Sequence, residues 1–315
     1  MGIHLLQTFL TSQRDKNVKE IHLRNLNNKK IAVDISIYLY RFKEMGNLIE
    51  NMYLMCSIFR YYDIHPIFIF DGKSPTVKQD TINKRKESKQ NAKDEFIKLK
   101  KNMSNCSFNE KKEMELKLDI LRKKFISVKK KDIIQIQCLL DAYGMTYVTA
   151  NNEADELCGI LTLTNTVYAC MTEDTDIMAY GARKILRYFS LIKHTVVLYD
   201  MPLILQNLHM TVREFQELCV CSGNDYINMS KNIFNYYKLL KIYNKSSQTS
   251  FIQWLLDKRY ISLQEYHNLL EIYDIYTFKK SNPYDNLSYK IIKNKSVNKH
   301  NLVEILETAG FVFPL

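Results

Sequence analysis

Residues 31–35 read IAVDI and residues 66–71 read PIFIFD. Each is a short apolar run that closes on or beside an aspartate, the pattern of a buried strand leading into a polar turn. MTYVTA at 145–150 and TVYACMTED at 166–174 repeat it, the second ending in Asp174, and ILRYFS and TVVLYD add two further strand-like runs. The segments between are helical in period. SIYLYRF, running on to about Tyr62, reads as one helix that opens with Ser36 as a cap, and NNEADELCGILTL reads as a helix capped by Asn151 or Asn152 before an acidic first turn. From Thr211 onward the pattern is helical, interrupted by the polar stretch KSSQTS at 245–250. Strands alternating with helices predict an α/β fold with a mostly parallel central sheet flanked by helices. In such sheets ligands bind outside the carboxyl ends of the strands, and Asp34, Asp71 and Asp174 all fall at that edge.

The net charge of +11 is not spread evenly. Residues 78–131 hold 18 Lys and Arg against 8 Asp and Glu, while the rest of the chain is nearly balanced. The segment has no Gly or Pro and carries apolar residues at helical spacing: Phe96, Leu99 and Met103, then Met114, Leu118 and Leu121. NMSNCSFN at 102–109 predicts a break, so the segment is expected to be a helical hairpin. Two readings stay open: a hairpin whose lysines are merely its wet face, or a contact for a polyanion, drawn by charge and counterion release. Only Phe96, Phe108 and Phe125 interrupt the lysines, too few for base stacking to be its main work.

Several classes are disfavoured. No stretch approaches the ~20 apolar residues of a membrane span. MGIHLLQTFLTSQRDK lacks a basic n-region, and Leu6 stands where a myristoylation signal needs Ser or Thr. The seven cysteines, at 56, 106, 138, 158, 170, 219 and 221, form no CxxC pair and no zinc spacing, and are expected to be buried thiols in an intracellular protein.

Further carboxylates join the three at strand ends. Glu153 and Asp155 open a predicted helix, Asp176 lies two residues after Asp174, and Asp225 sits in SGNDY. An aspartate after a strand is commonly a cap or turn former. Seven like charges at one sheet edge would instead raise one another's pKa values, and divalent cations would relieve that repulsion. Oxygen ligands without Cys or His suit Mg²⁺ or Mn²⁺ rather than zinc. Two such ions ~3.5–4 Å apart could clamp a phosphodiester and activate water.

These segments resemble the flap endonuclease/XPG family of structure-specific 5′ nucleases over roughly residues 1–243. The resemblance rests on the MGI start with Gly2, IAVDISIYLY, FIFDGKSPTVK, NNEADELC, TEDTDIMAYG and SGNDY, in the family's order. It implies a PIN-like 5′ nuclease fold divided into an N-terminal nuclease part (1–77), a basic helical arch (78–131), an internal part with a degenerate helix-hairpin-helix (132–243) and a helical C-terminal region (244–315). It implies Mg²⁺-dependent cutting of branched, 5′-flap DNA in replication, repair or recombination. Asp34, Asp71, Glu153 and Asp155 would belong mainly to one ion, and Asp174, Asp176 and Asp225 to the other, with Mn²⁺ a possible substitute. Lys78 and Arg85 match the pair that contacts the scissile phosphate, and Tyr40 an aromatic that stacks beside the cut. Gly2, Lys84, Lys86, Lys89 and Lys231 are further expected DNA contacts. Alternatives in the same fold are a 5′ exonuclease, a bubble- or junction-cutting relative, or a non-catalytic nucleic-acid-binding scaffold; a scaffold would be expected to have lost carboxylates, and all seven positions keep one.

Two departures stand out. After Asp225 the family carries a G-I-G hairpin that cradles a phosphate and often a potassium ion, whereas INMSKNIFNYYKLLKIY has Asn232 and Phe234 at the glycine places; Lys231, Lys238 and Lys241 remain for phosphate. The tail EILETAGFVFPL holds no sliding-clamp motif. The partner expected is DNA at a single-strand/duplex junction, bound by a monomer, with no membrane. Nuclear residence follows from the resemblance, in a host nucleus if the AT-rich, Lys-, Asn-, Ile- and Tyr-heavy composition reflects a large DNA virus.

Overall fold

The computed structural model describes residues 2–13, 16–73, 78–102, 108–227, 229, 231–244, 249–278 and 296–312, with backbone alone for 79, 80 and 108–110. The chain opens with α1 (Leu6–Ser12) and β1 (Val18–His22), neither foreseen from sequence. Then come β2 (Lys30–Asp34), α2 (Ser36–Glu44), α3 (Leu48–Tyr61) and β3 (His65–Phe70). The single helix expected from Ser36 to Tyr62 is thus two, broken at Met45–Asn47, where Gly46 takes φ 85°. The basic segment forms α4 (Gln79–Asn102), α5 (Phe108–Lys124) and the start of α6 (Lys130–Tyr143). α4 and α5 pack on each other, with Phe96 and Phe125 edge-on at 5.4 Å. Most of the predicted break, with Met103 and Cys106, lies outside the described residues.

β4 (Thr146–Thr149), α7 (Ala154–Leu163), β5 (Ala169–Met171) and α8 (Asp176–Ala179) follow, then β6 (Lys184–Ser190) and β7 (Thr195–Asp200) as a hairpin. Two expectations are corrected here. The strand expected over 166–174 is only three residues long, because Thr172 and the acids after it turn into the site. The cap of α7 is Glu153 rather than an asparagine; Asn152 instead donates to the Glu156 side chain at 2.9 Å. Among the described residues the remaining elements are helices: α9 (Met201–Asn207), α10 (Val212–Cys221), α11 (Ile233–Tyr243), α12 (Phe251–Asp257), α13 (Leu263–Tyr276) and α14 (Lys299–Thr308).

The seven strands lie in the order β1-β7-β6-β5-β2-β3-β4, parallel from β6 to β4, with β7 and β1 antiparallel at one edge. Alternate residues feed two cores, as the period-2 geometry of a strand requires. Ile31, Val33, Phe68 and Phe70 face α2, α3, α6 and α14; Ala32, Ile67, Ile69 and Cys170 face α1, α7 and the C-terminal helices. The chain winds from β2 outward through β3 to β4, then restarts at β5 on the other side of β2. That reversal opens a crevice between the carboxyl ends of β2 and β5, where an α/β sheet binds ligands. Of the six described cysteines, all free, five are buried as expected and Cys138 is exposed. Among the described residues no helix is long and apolar enough to cross a membrane.

Candidate functional site

A cavity of about 510 Å³ lies in that crevice, lined by Asp34, Asp71, Glu153, Asp155, Asp174 and Asp225 together with Tyr40, Lys78 and Arg85. Asp34 ends β2; its Oδ1 accepts the Ser36 N–H at 3.0 Å and its Oδ2 the Thr172 hydroxyl at 2.9 Å. Asp71 follows β3 and accepts the Ser36 hydroxyl at 2.5 Å and the Ala154 N–H at 2.9 Å. It therefore meets the positive end of α7, where a carboxylate is favoured. Asp174 hangs from the loop after β5, whose N–H is held by Thr172 Oγ1 at 3.1 Å. Asp225 is presented by a tight turn in which Asn224 Oδ1 accepts the N–H of Tyr226 at 2.9 Å. Asp176 lies just behind the lining, 1% exposed, and neither of its oxygens has a hydrogen-bond partner among the described residues.

This crowding shifts the acids. Burial, then the charge of Asp71, pushes Asp34 up to about 7. Burial and Asp174 push Asp176 up to about 8, against the pull of Lys78. Burial raises Asp155 well above the ordinary range, with Asp34, Asp174 and Asp176 adding to it. Desolvation and like charge both favour the protonated acid, so the site is short of positive charge.

Two protein cations answer part of that need. Lys78 Nζ lies 2.8 Å from Glu153 Oε2, 4.0 Å from Asp176 Oδ2 and 4.7 Å from the centre of the Tyr226 ring. Burial opposes its charge, but Tyr226, Glu153 and Asp176 outweigh this and raise its pKa. Arg85 pairs with Asp225 at 2.7 Å. The sequence-expected residues divide accordingly. Tyr40 stands at the rim, 42% exposed, with Lys89 5.0 Å over its ring. Gly2 touches the floor: a Cβ there would fall 2.2 Å from Asp174 Oδ1, and its φ of 89° suits only glycine. Lys84 and Lys86 are exposed on α4 and do not line the cavity. Lys231 lies apart, over the Tyr260 ring at 5.4 Å. Near it, Asn232 accepts from the N–H groups of Phe234 and Asn235, so α11 is capped by its own side chain; residues 228 and 230 of this hairpin lie outside the described residues.

Sequence reasoning passed over three supports. Thr172 bridges Asp34 and the Asp174 backbone; its place inside TEDTD, between apolar β5 and two acids, was the available signal. Glu173 lines the cavity, accepts the Tyr188 N–H at 2.7 Å and pairs with Arg187 at 3.7 Å. Tyr226 donates to Glu153 Oε2 at 3.3 Å. A larger cavity of about 600 Å³ beside α10 is mainly apolar, with Arg183 its only charged lining residue, and gathers no polar set.

The donor set fits divalent cations of the oxygen-seeking kind. It has carboxylates only, two unpartnered oxygens on the buried Asp176, and three acids pushed up first by burial and then by one another's charge. Among the described residues no three such side chains are yet drawn into one ligand shell. Lys78 and Arg85 hold Glu153, Asp176 and Asp225 instead.

Two family models match the chain: the XPG N-terminal domain over residues 1–92 and the XPG I-region over residues 144–225, together more than half its length. Flap endonuclease 1 of Salmo salar is 28% identical over 251 residues, covering 74% of this chain and 63% of that protein. The Trypanosoma brucei brucei protein is 27% identical over 289 residues, 85% of this chain and 71% of its own. The chain thus spans under two thirds of the length of the Salmo salar relative. Among solved structures, the catalytic core of Rad2 in complex with DNA substrate superposes with a TM-score of 0.68 at 22% identity, covering 98% of this chain and 95% of that one. The flap endonuclease from Methanococcus jannaschii gives 0.63 at 20%, with 98% and 92% covered. With both family models matched in order over more than half its length, the chain belongs to the flap endonuclease/XPG family.

Proposed function

We propose that the protein is a divalent-cation-dependent, structure-specific 5′ nuclease that hydrolyses phosphodiester bonds in branched DNA, with Mg²⁺ as its ion and a 5′ flap as its substrate. The observation that carries this reading is the convergence of acids from β2, β3, α7, the β5 loop and the 225 turn on one cavity walled by Lys78, just before the basic helix α4, and by Arg85 within it.

Asp34, Asp71, Glu153 and Asp155 would hold one ion, and Asp174, Asp176 and Asp225 the other. When bound, such ions supply Lewis acidity, which makes water a nucleophile near neutral pH and stabilises the leaving oxygen. The water oxygen joins the phosphorus, the bond to the 3′ oxygen breaks, and that oxygen takes up a proton; the products are a 5′-phosphate and a 3′-hydroxyl. Lys78 and Arg85 leave their carboxylate partners and turn to the scissile phosphate, where charge builds in the transition state. Tyr40 offers its exposed face to the adjoining base. α4 and α5 guide the single strand by phosphate attraction. Such an enzyme acts where branched DNA occurs, in replication, repair or recombination and in a nucleus. The test is a panel of 5′ flap, nick, bubble, junction and blunt duplex, with Mg²⁺ or EDTA. Flap cutting near the branch in Mg²⁺ alone is expected. Mononucleotide release from blunt duplex would make the protein an exonuclease, and cleavage unaffected by EDTA would overturn the cation assignment.

A further inference from the structure

Tyr276 closes α13, in the C-terminal region where the sequence offered no motif. Its ring is fully buried and meets two other tyrosines edge-on, Tyr180 at 4.9 Å and Tyr226 at 5.9 Å between centres. Tyr180 directly follows α8, the helix that begins with Asp176, and Tyr226 directly follows Asp225. Phe278 stacks on Tyr180 at 5.5 Å. The pair closes over Gly159 of α7, where an added Cβ would come 2.9 Å from the Tyr180 Cβ and 3.6 Å from the Phe278 ring. The first turn of α7 carries Asp155. The end of α13 is therefore wedged among the three segments that deliver Asp155, Asp176 and Asp225.

The polar atoms of this wedge are unusual. The Tyr276 hydroxyl and both Asp176 oxygens are shut off from solvent, and none makes a full hydrogen bond among the described residues. The hydroxyl nevertheless lies beside the Asp176 carboxylate, brought there by the contact of its ring with Tyr180. Lys78 Nζ stands 4.0 Å from Asp176 Oδ2. Leaving a buried carboxylate and a buried phenol both unpaired is costly, most of all for the charged group, and a hydrogen bond between the two would remove that cost.

We infer that Tyr276 is a positioning residue for the cation site: its O–H donates to one oxygen of Asp176 and aims the other into the cavity, which makes the C-terminal helical region a working part of the site. This rests on the cation reading above. With a cation held by the acids, the phenol would be the donor behind Asp176, the arrangement that in metal sites fixes ligand orientation and affinity.

The test is Mn²⁺ uptake by the DNA-free protein, followed by the free-ion electron spin resonance signal. Tyr276→Phe keeps the ring packing and removes only the donor. Its dissociation constant for Mn²⁺ should rise by about tenfold. Cleavage should recover when Mn²⁺ is raised, with KM for DNA unchanged. Tyr143→Phe, which removes a phenol from the α3–α6 side, should leave Mn²⁺ affinity as it is. In an Asp176→Asn background the Tyr276→Phe effect should vanish, since the two groups act as one unit. A folded Tyr276→Phe protein with unchanged Mn²⁺ affinity would overturn the inference, even if it melts earlier. Should that variant not fold, 3-fluorotyrosine placed at 276 in the otherwise unaltered chain gives a second reading: its ¹⁹F signal should shift on Mg²⁺ saturation, and no shift overturns the inference. A wild-type protein that takes up no Mn²⁺ would instead remove the cation reading itself.

Discussion

Asp34 and Asp71 accept hydrogen bonds from Ser36, Thr172 and Ala154, groups fixed at strand ends and at the start of α7. Asp176 and Asp225 have no such cradle. Asp225 leans on Arg85, and Asp176 has Lys78 at 4.0 Å and a tyrosine wedge behind it. Asp34 and Asp71 are preorganised by backbone and hydroxyl donors at the sheet edge. Asp176 and Asp225, like Glu153, are poised by movable cations, and Asp176 also by the end of α13. The contrast teaches where the two kinds of control reside: geometry on the β2–β3 side, exchangeable charge on the α8 side.

The contrast breaks most visibly at Asp174, which ties the two halves through Thr172. Asp174→Ala should lower flap cleavage in Mg²⁺ by about 10³-fold or more, while binding in Ca²⁺ survives, as read by gel shift. Full activity would end the two-ion assignment. The exchangeable side is probed by Lys78→Ala with Arg85→Ala. Single-turnover rates should fall about 10²-fold, with a much smaller change in DNA affinity; loss of binding alone would reduce both residues to a plain basic surface. The fixed side is probed by Thr172→Val, which strips the hydroxyl from Asp34 and the Asp174 N–H. It should cost ~1–3 kcal/mol in urea unfolding and about tenfold in rate. A variant as stable and active as wild type would show that the sheet side is not held as described.

The smallest effect is a pH dependence of the cation-free protein. Asp176 is pushed up to about 8 by burial and Asp174, whereas in an unfolded chain it titrates near ~3.9. The folded state keeps a proton that the unfolded state has lost, so the stability this group contributes is present at low pH and disappears as pH rises toward 8. In EDTA the melting temperature of Asp176→Asn, relative to wild type, should therefore be a few degrees higher at pH 8.5 than at pH 5.5. An equal displacement at both pH values would show that Asp176 is not raised.

Much of this was legible in the chain. IAVDI and PIFIFD announced their strands because a strand buried on both faces needs an unbroken apolar run, and each aspartate marked the edge where the run meets solvent. The α2–α3 break was hidden because apolar residues continue on both sides of Gly46 at nearly helical spacing. β1 was missed because VKEIH lies at the sheet margin and is only half buried, so it lacks that run. Lys84 and Lys86 look in sequence like Arg85, yet the turn of α4 points them to solvent. Tyr276 carried no signal, since one tyrosine in a tyrosine-rich helix is indistinguishable from core.

By itself, then, the order of residues determined the element types, the sheet edge that collects acid and the segment that collects base, because these depend on local period and local charge. Only the tertiary structure decided which acids are fixed and which exchange partners, that Thr172 and Glu173 belong to the site, and that the end of α13 reaches behind Asp176. Those facts depend on contacts between segments as much as 140 residues apart, and the distance between two side chains remote in sequence is set by packing, which no local pattern records.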